Sequence, residues 1–217
     1  MTDYTTVLFD LDGTLIDTAP DMAHSLNLLL LEQGQAELPY PSIRPVVSNG
    51  SVALVKLGFG EIDDPERMAY LKQRYLDIYQ AHLCQHSQLF EGMDELLTHI
   101  ESRYMNWGVV TNKPGWLTNP LMEQIGLFER AACIVSGDTT QNRKPHPEPM
   151  FHACLAAGSE AQQCIYVGDA RRDIEAGNNA GMKTLVAMYG YIGDWENTDD
   201  WGANGKITQP QEIAQYF

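Results

Sequence analysis

The chain has 217 residues, is 44% hydrophobic and carries a formal net charge of −15. That length and apolar content support a full core in one large domain, or in one domain with a smaller insertion. The negative balance argues against a nucleic-acid partner, which needs a basic face, and requires any anionic ligand to be met by locally gathered cations.

Cys84, Cys133, Cys154 and Cys164 show no CxxC pairing and no metal-finger spacing, and read as reduced thiols of a cytosolic protein. No charged-then-apolar leader precedes the first strand, and no apolar run reaches the length that spans a bilayer. The expectation is a cytoplasmic chain with no membrane partner.

Val7–Phe9 is an apolar, β-prone run that ends on Asp10, with Asp12 two residues on and Asp17 soon after. From Pro20 a helical period runs through Leu26, Leu29 and Leu30, and Gly34 can end it. A Pro-containing loop (38–45) leads to a helix around Val52–Leu57. A longer one from about Pro65 to Leu83 sets Met68, Leu71, Tyr75, Ile78 and Tyr79 on one stripe. No strand is evident between 16 and 90. We therefore expect a core of 1–15 and 91–217, with a helical insertion at 16–90.

After Gly92, strand and helix alternate. WGVVTN (107–112), ACIVSGD (132–138), CIYVGD (164–169) and KTLVAM (183–188) read as strands. Asp94–Ser102, Leu117–Ile125, Pro149–Ala157 and Arg172–Ala180 read as helices, with Gly126, Gly158 and Gly181 as stops. The tail after Met188 shows only a short helix near Gln211–Tyr216. This alternation implies an α/β fold: a Rossmann-like parallel sheet with helices on both faces, plus the all-helical insertion. Ligands of such sheets bind at the carboxyl ends of the strands, where Asp10, Thr111, Ser136 and Asp169 would converge.

Two carboxylates about 4 Å apart repel by about 4 kcal/mol at an effective dielectric near 20. The pair at 10 and 12 is not an EF-hand, because Leu15 stands where that loop needs glycine. Asp10, Asp12 and Asp169 at neighbouring strand ends make an oxygen-rich pocket suited to a hard cation such as Mg2+. Asp173, one turn into the following helix, reads equally as a first-turn acid and as support for that pocket. Thr111 with Asn112 can hold phosphate oxygens, and Lys144 between prolines can neutralise a nucleophile and a phosphoryl group together.

DLDGTLIDT at 10–18, VVTN at 109–112, KPHPEP at 144–149 and GDARRD at 168–173 resemble the haloacid dehalogenase superfamily, in its phosphoglycolate-phosphatase-like group with a helical cap. The resemblance covers the whole chain. It implies Asp10 as nucleophile, Asp12 as general acid and base, and Thr111, Asn112 and Lys144 at the phosphoryl group. Asp10, the backbone carbonyl of Asp12 and Asp169 would ligate Mg2+, with Asp173 behind them. Ala170 departs from the Ser or Thr of many relatives. The implied activity is phosphomonoester hydrolysis through an aspartyl-phosphate, on a small phosphorylated metabolite, by a monomer or small homo-oligomer. A sugar-phosphate mutase of the same family and a receiver-like phospho-acceptor remain alternatives; the latter lacks a cap and a counterpart of Asp12.

Arg44, Ser48, Asn49 and Gly50 are the insertion's candidates for the substrate, with a solvated Arg44 and an Asn-Gly turn as the competing reading. Lys113 and Arg143 are candidates for the rim, and Arg171 and Arg172 lie beside the metal residues. LFEGMDELL, WGVVTNKP and YGYIGDWENTDDWGA are similar to the subset acting on N-acetylmuramic acid 6-phosphate. That substrate and 2-phosphoglycolate both carry a carboxylate besides the phosphate, and the sequence leaves the choice open.

Overall fold

The computed structural model describes residues 4–217; residues 1–3 of the expected core segment lie outside the described residues. The chain begins with β1 (Thr6–Phe9) and a short β2 (Ile16–Asp17). It then forms α1 (Ala19–Glu32), α2 (Tyr40–Ile43), a 3-10 helix at Arg44–Asn49, α3 (Gly50–Phe59) and α4 (Pro65–Ala81). After β3 (Gln88–Leu89) come α5 (Met93–Ser102), β4 (Asn106–Val110), α6 (Gly115–Gln124), β5 (Cys133–Val135) and α7 (Glu148–Ala157). The chain finishes with β6 (Cys164–Gly168), α8 (Arg171–Ala180), β7 (Lys183–Ala187), β8 (Gly205–Ile207) and a 3-10 segment at Pro210–Tyr216.

Six strands form one sheet in the order β5-β4-β1-β6-β7-β8, with every neighbouring pair parallel. β1 sits at its centre because it is apolar on both faces: Val7, Leu8 and Phe9 have no exposed surface. Each such burial contributes about 1.5–3 kcal/mol. Alternate side chains enter opposite layers. Val7 and Phe9 join Leu96 of α5 and Leu121 of α6, whereas Leu8 packs with Met150 of α7 and Ala176 of α8. This is the expected helix–sheet–helix arrangement, with β8 as a sixth strand that the tail did not announce. The short helix expected near Gln211–Tyr216 is present at Pro210–Tyr216, in 3-10 form.

Between 19 and 81 the chain contributes only helices, and their apolar faces merge with the sheet's core through Leu26, Leu54, Leu71 and Tyr75. Pro20 lies in the first turn of α1, where its missing N–H costs nothing. Pro65 starts α4 behind Asp64, whose side chain accepts from Glu66 N–H. Two strands do occur between 16 and 90, contrary to expectation. β2 and β3 pair antiparallel, Ile16 opposite Leu89 and Asp17 opposite Gln88, so the outgoing and returning chains run side by side. Two residues each are too few to show a period. Beside this ribbon the buried carboxylate of Asp21 accepts from His86 N–H, Ser87 N–H and the Ser87 hydroxyl, pinning the return path to α1.

Among the described residues no helix is long and apolar enough to cross a membrane. All four cysteines are free thiols.

Candidate active site

Parallel pairing brings the ends of β1, β4 and β6 to one edge, and the chemistry-bearing side chains collect there. Asp10 follows β1 and is buried, with its N–H bonded to Val167 O at 2.8 Å. Its Oδ1 accepts from Leu11 N–H at 2.8 Å and pairs with Lys144 Nζ at 2.9 Å, which fixes the carboxylate's orientation. Lys144 also reaches Asp173 Oδ1 at 2.7 Å, Val110 O at 2.8 Å and the Tyr166 hydroxyl at 2.7 Å, with 1% of its side chain exposed. A lysine this buried is held by its partners, and it offsets two carboxylates at once.

Asp10, Asp169 and Asp173 each offer an oxygen within 4.8 Å of the others. Burial first, then the charge of Asp10 and Asp173, pushes the Asp169 carboxyl up from 3.8 to about 7. Asp173 is likewise raised by burial and by Asp10, against the pull of Lys144 and Arg172. Asp169 Oδ2 accepts from Ser48 Oγ and Tyr191 N–H, while its buried Oδ1 has no hydrogen-bond partner. An all-oxygen set with an orphaned, buried carboxylate oxygen fits a hard divalent cation. Gly13 is required beside it: φ is +83°, and a Cβ there would collide with the Asp169 carboxylate.

Asp12 stands apart from this cluster. Its Oδ1 accepts from Thr18 Oγ1 at 2.6 Å and from Lys113 Nζ at 2.8 Å. Thr18 occupies the N-cap position of α1 but its side chain accepts no cap bond from the helix N–H groups; its hydroxyl donates to Asp12. Asp17 is bonded to the Tyr191 hydroxyl at 2.7 Å and supports the turn into the ribbon.

Asp10, Asp12, Thr111 and Asn112 face the helical segment across a cavity of about 580 Å³. Asn49 and Gly50 line it where α3 begins. The Asn112 side chain, expected at a phosphoryl group, is engaged elsewhere. Its amide nitrogen donates to Lys144 O at 3.0 Å and its oxygen accepts from Lys144 N–H at 3.1 Å, so it braces the loop that carries the lysine. Ser136 is not part of the wall and packs against Gly115.

Arg44 does not reach the cavity. Its two terminal nitrogens donate to Gly190 O at 2.9 Å and Tyr189 O at 3.0 Å, and its guanidinium lies 4.9 Å from the Tyr191 ring centroid. The helical segment is thereby tied to the tail, and the expected substrate role of Arg44 gives way to a bracing one. Arg171 is exposed and paired with Glu175 one turn on. Arg172 donates to Ser48 O at 2.6 Å; the Asp173, Asp10 and Asp169 carboxylates keep it charged despite its burial. Lys113, expected at the rim, does line the cavity, with its ammonium buried on Asp12. Lys72, Gln73 and Trp116, not anticipated from the sequence, line the same cavity. Lys72 lies three residues before Tyr75 and seven before Tyr79, a cation at helical spacing with the apolar stripe, and that was its legible signal.

The sequence profile of haloacid dehalogenase-like hydrolases matches residues 7–187. The chain is 42% identical to an N-acetylmuramic acid 6-phosphate phosphatase of Pseudomonas putida over 209 residues, 96% of this chain and 94% of that protein. It is 41% identical to a phosphoglycolate phosphatase of Xanthomonas campestris pv. campestris over 208 residues, 95% and 93% of the two. The crystal structure of a protein from Haemophilus somnus 129PT, described as a predicted phosphoglycolate phosphatase, superposes with a TM-score of 0.88 at 25% identity, covering 100% of this chain and 99% of that one. A parallel sheet with paired aspartates after its central strand, a buried lysine and a distal acidic pair is thus found in a sequence matched over most of its length, and the chain belongs to the haloacid dehalogenase-like hydrolase family.

Proposed function

We propose that this chain is a Mg2+-dependent phosphatase of a small, carboxylated phosphomonoester. The observation that carries the reading is Asp10, held by Leu11 N–H and Lys144 beside the orphaned Asp169 oxygen. Mg2+, held by Asp10, Asp169 and the Asp12 backbone carbonyl with Asp173 in support, would supply charge stabilisation at the phosphoryl oxygens. Asp10 attacks phosphorus in line and forms an aspartyl-phosphate as the ester P–O bond breaks. Asp12 gives its proton to the departing oxygen, then takes one from the water that hydrolyses the acyl phosphate. Thr111 receives phosphoryl oxygens, and Lys144 offsets charge on the nucleophile.

Residues 16–90 act in this reading as a cap over the core of 1–15 and 91–217. Cap and core are bridged by Ser48–Asp169, Arg172–Ser48 and Lys113–Tyr79, so the cavity that remains is room for the leaving group. Its size falls in the ~300–1,000 Å³ range of sites for drug-sized ligands, and Trp116, 42% exposed, offers a flat apolar wall. That favours a sugar-sized leaving group, such as N-acetylmuramic acid, over glycolate. Lys72 is the cavity cation best placed to meet its carboxylate, having no ion-pair or hydrogen-bond partner among the described residues. We place the enzyme in the cytoplasm, where four free thiols persist.

Phosphate release from a panel of metabolite esters, with Mg2+ and with a chelator, tests the reading. Release should require Mg2+ and be lost in Asp10→Asn. A folded parent that releases no phosphate from any ester, or an Asp10→Asn variant as active as the parent, would overturn it.

A further inference from the structure

Two donors converge on one oxygen of Asp12, and the other oxygen has no hydrogen-bond partner among the described residues. Thr18 and Lys113 both bond Oδ1, at 2.6 and 2.8 Å. Lys113 in turn donates to the Tyr79 hydroxyl of α4 at 2.8 Å, with 5% of its own side chain exposed and Tyr79 buried. Thr18 and Tyr79 come from the two ends of the helical segment, and Lys113 from the loop after β4.

We propose that Lys113, braced by Tyr79, is a positioning residue for proton transfer: with Thr18 it anchors Oδ1 of Asp12 and reserves Oδ2 for the travelling proton. The proposal rests on Asp12 being the acid and base. The anchor serves both protonation states. In the carboxyl form the proton sits on Oδ2, and Oδ1, as carbonyl oxygen, still accepts from both donors. When the ester P–O bond breaks, that proton passes to the leaving oxygen and Asp12 becomes a carboxylate. Oδ2 then takes a proton from the water whose oxygen bonds to phosphorus, which releases phosphate and restores Asp10 and the Asp12 carboxyl. Because Tyr79 belongs to α4, the anchor is complete only while α4 lies against the loop after β4.

Leaving-group dependence separates this role from a merely structural one. For the Mg2+-loaded full chain, kcat/KM reports the steps up to departure of the leaving group. An alkyl phosphate needs the proton at that point, whereas p-nitrophenyl phosphate expels a stable phenolate. The loss of kcat/KM in Lys113→Met and in Tyr79→Phe should be about tenfold or more greater for the alkyl ester than for the nitrophenyl ester, within the range of general-acid effects. Asp12→Asn should show the same selectivity, and Lys113→Arg should recover part of the loss. Equal losses on both esters in the Lys113 and Tyr79 variants, with Asp12→Asn still selective, overturn the proposal. An unselective Asp12→Asn overturns the acid–base assignment instead.

Discussion

Ser48 and Asp169 meet across the crevice: the serine hydroxyl donates to Asp169 Oδ2 at 2.7 Å, and Arg172 holds the Ser48 carbonyl at 2.6 Å. One oxygen of Asp169 is thereby fixed from the helical side and the other is turned, partnerless, toward Asp10 and Asp173. A carboxylate oriented this way is ready for a cation and favours its protonated form without one.

The pH dependence follows in sign. Asp169 is raised from 3.8 to about 7 in the fold, chiefly by burial, so the metal-free protein holds this proton more tightly than the unfolded chain does. Its contribution to stability is full below about pH 4 and is lost as pH rises through about 7. The proposed Mg2+ would bind the deprotonated form. The rise in Tm on adding Mg2+ should therefore be several degrees larger at pH 8 than at pH 5.5, measured by thermal unfolding at both. A larger rise at the acidic pH would contradict the assignment.

Lys144 is the cation between Asp10 and Asp173. Lys144→Ala leaves two buried carboxylates uncompensated, which costs about 3–5 kcal/mol when a buried pair is broken. Urea unfolding should show that loss, with phosphatase activity abolished and part of the stability returned by Mg2+. A variant as stable as the parent would show that the pairs contribute little.

Arg44→Ala should behave differently. The side chain bonds two backbone carbonyls and lies over Tyr191, away from the cavity. About 1.5–3 kcal/mol of stability should be lost, the range for hydrogen bonds involving a charged group. Relative kcat/KM across the ester panel should stay within about twofold, and a large change in substrate preference would return Arg44 to the substrate.

The preference itself should move with Lys72 and Trp116. Lys72→Met should lower kcat/KM for N-acetylmuramic acid 6-phosphate about tenfold relative to N-acetylglucosamine 6-phosphate, which lacks the lactyl carboxylate. That corresponds to about 1.4 kcal/mol. Trp116→Ala should weaken both sugars and spare 2-phosphoglycolate. An unchanged ratio between the two sugars would remove Lys72 from recognition.

The sheet was largely legible because each principal strand is an apolar run closed by a polar residue, and β1 is hydrophobic on both faces. β8 was not, since Gly-Lys-Ile has one apolar residue and pairs only because β7 lies beside it. The aspartates and Lys144 were legible from their order after separate strands. The partners of Arg44 and Asn112 were not, because both side chains bind backbone atoms, which carry no residue identity. Lys113 was legible as a nearby cation, but its contact with Tyr79 joins residues 34 apart through packing that periodicity does not encode.

The ribbon of Ile16–Asp17 against Gln88–Leu89 has a further consequence for modularity. Ladder partners lie about 5 Å apart, so the points where the helical segment leaves and rejoins the sheet-bearing part are already stitched edge to edge. A tight hairpin turn could bridge them in place of everything between, and so could a differently shaped lid grafted on the same two strands. If the helical segment is the cap of the proposed function, substrate range would be exchangeable as a cassette while the sheet keeps its register.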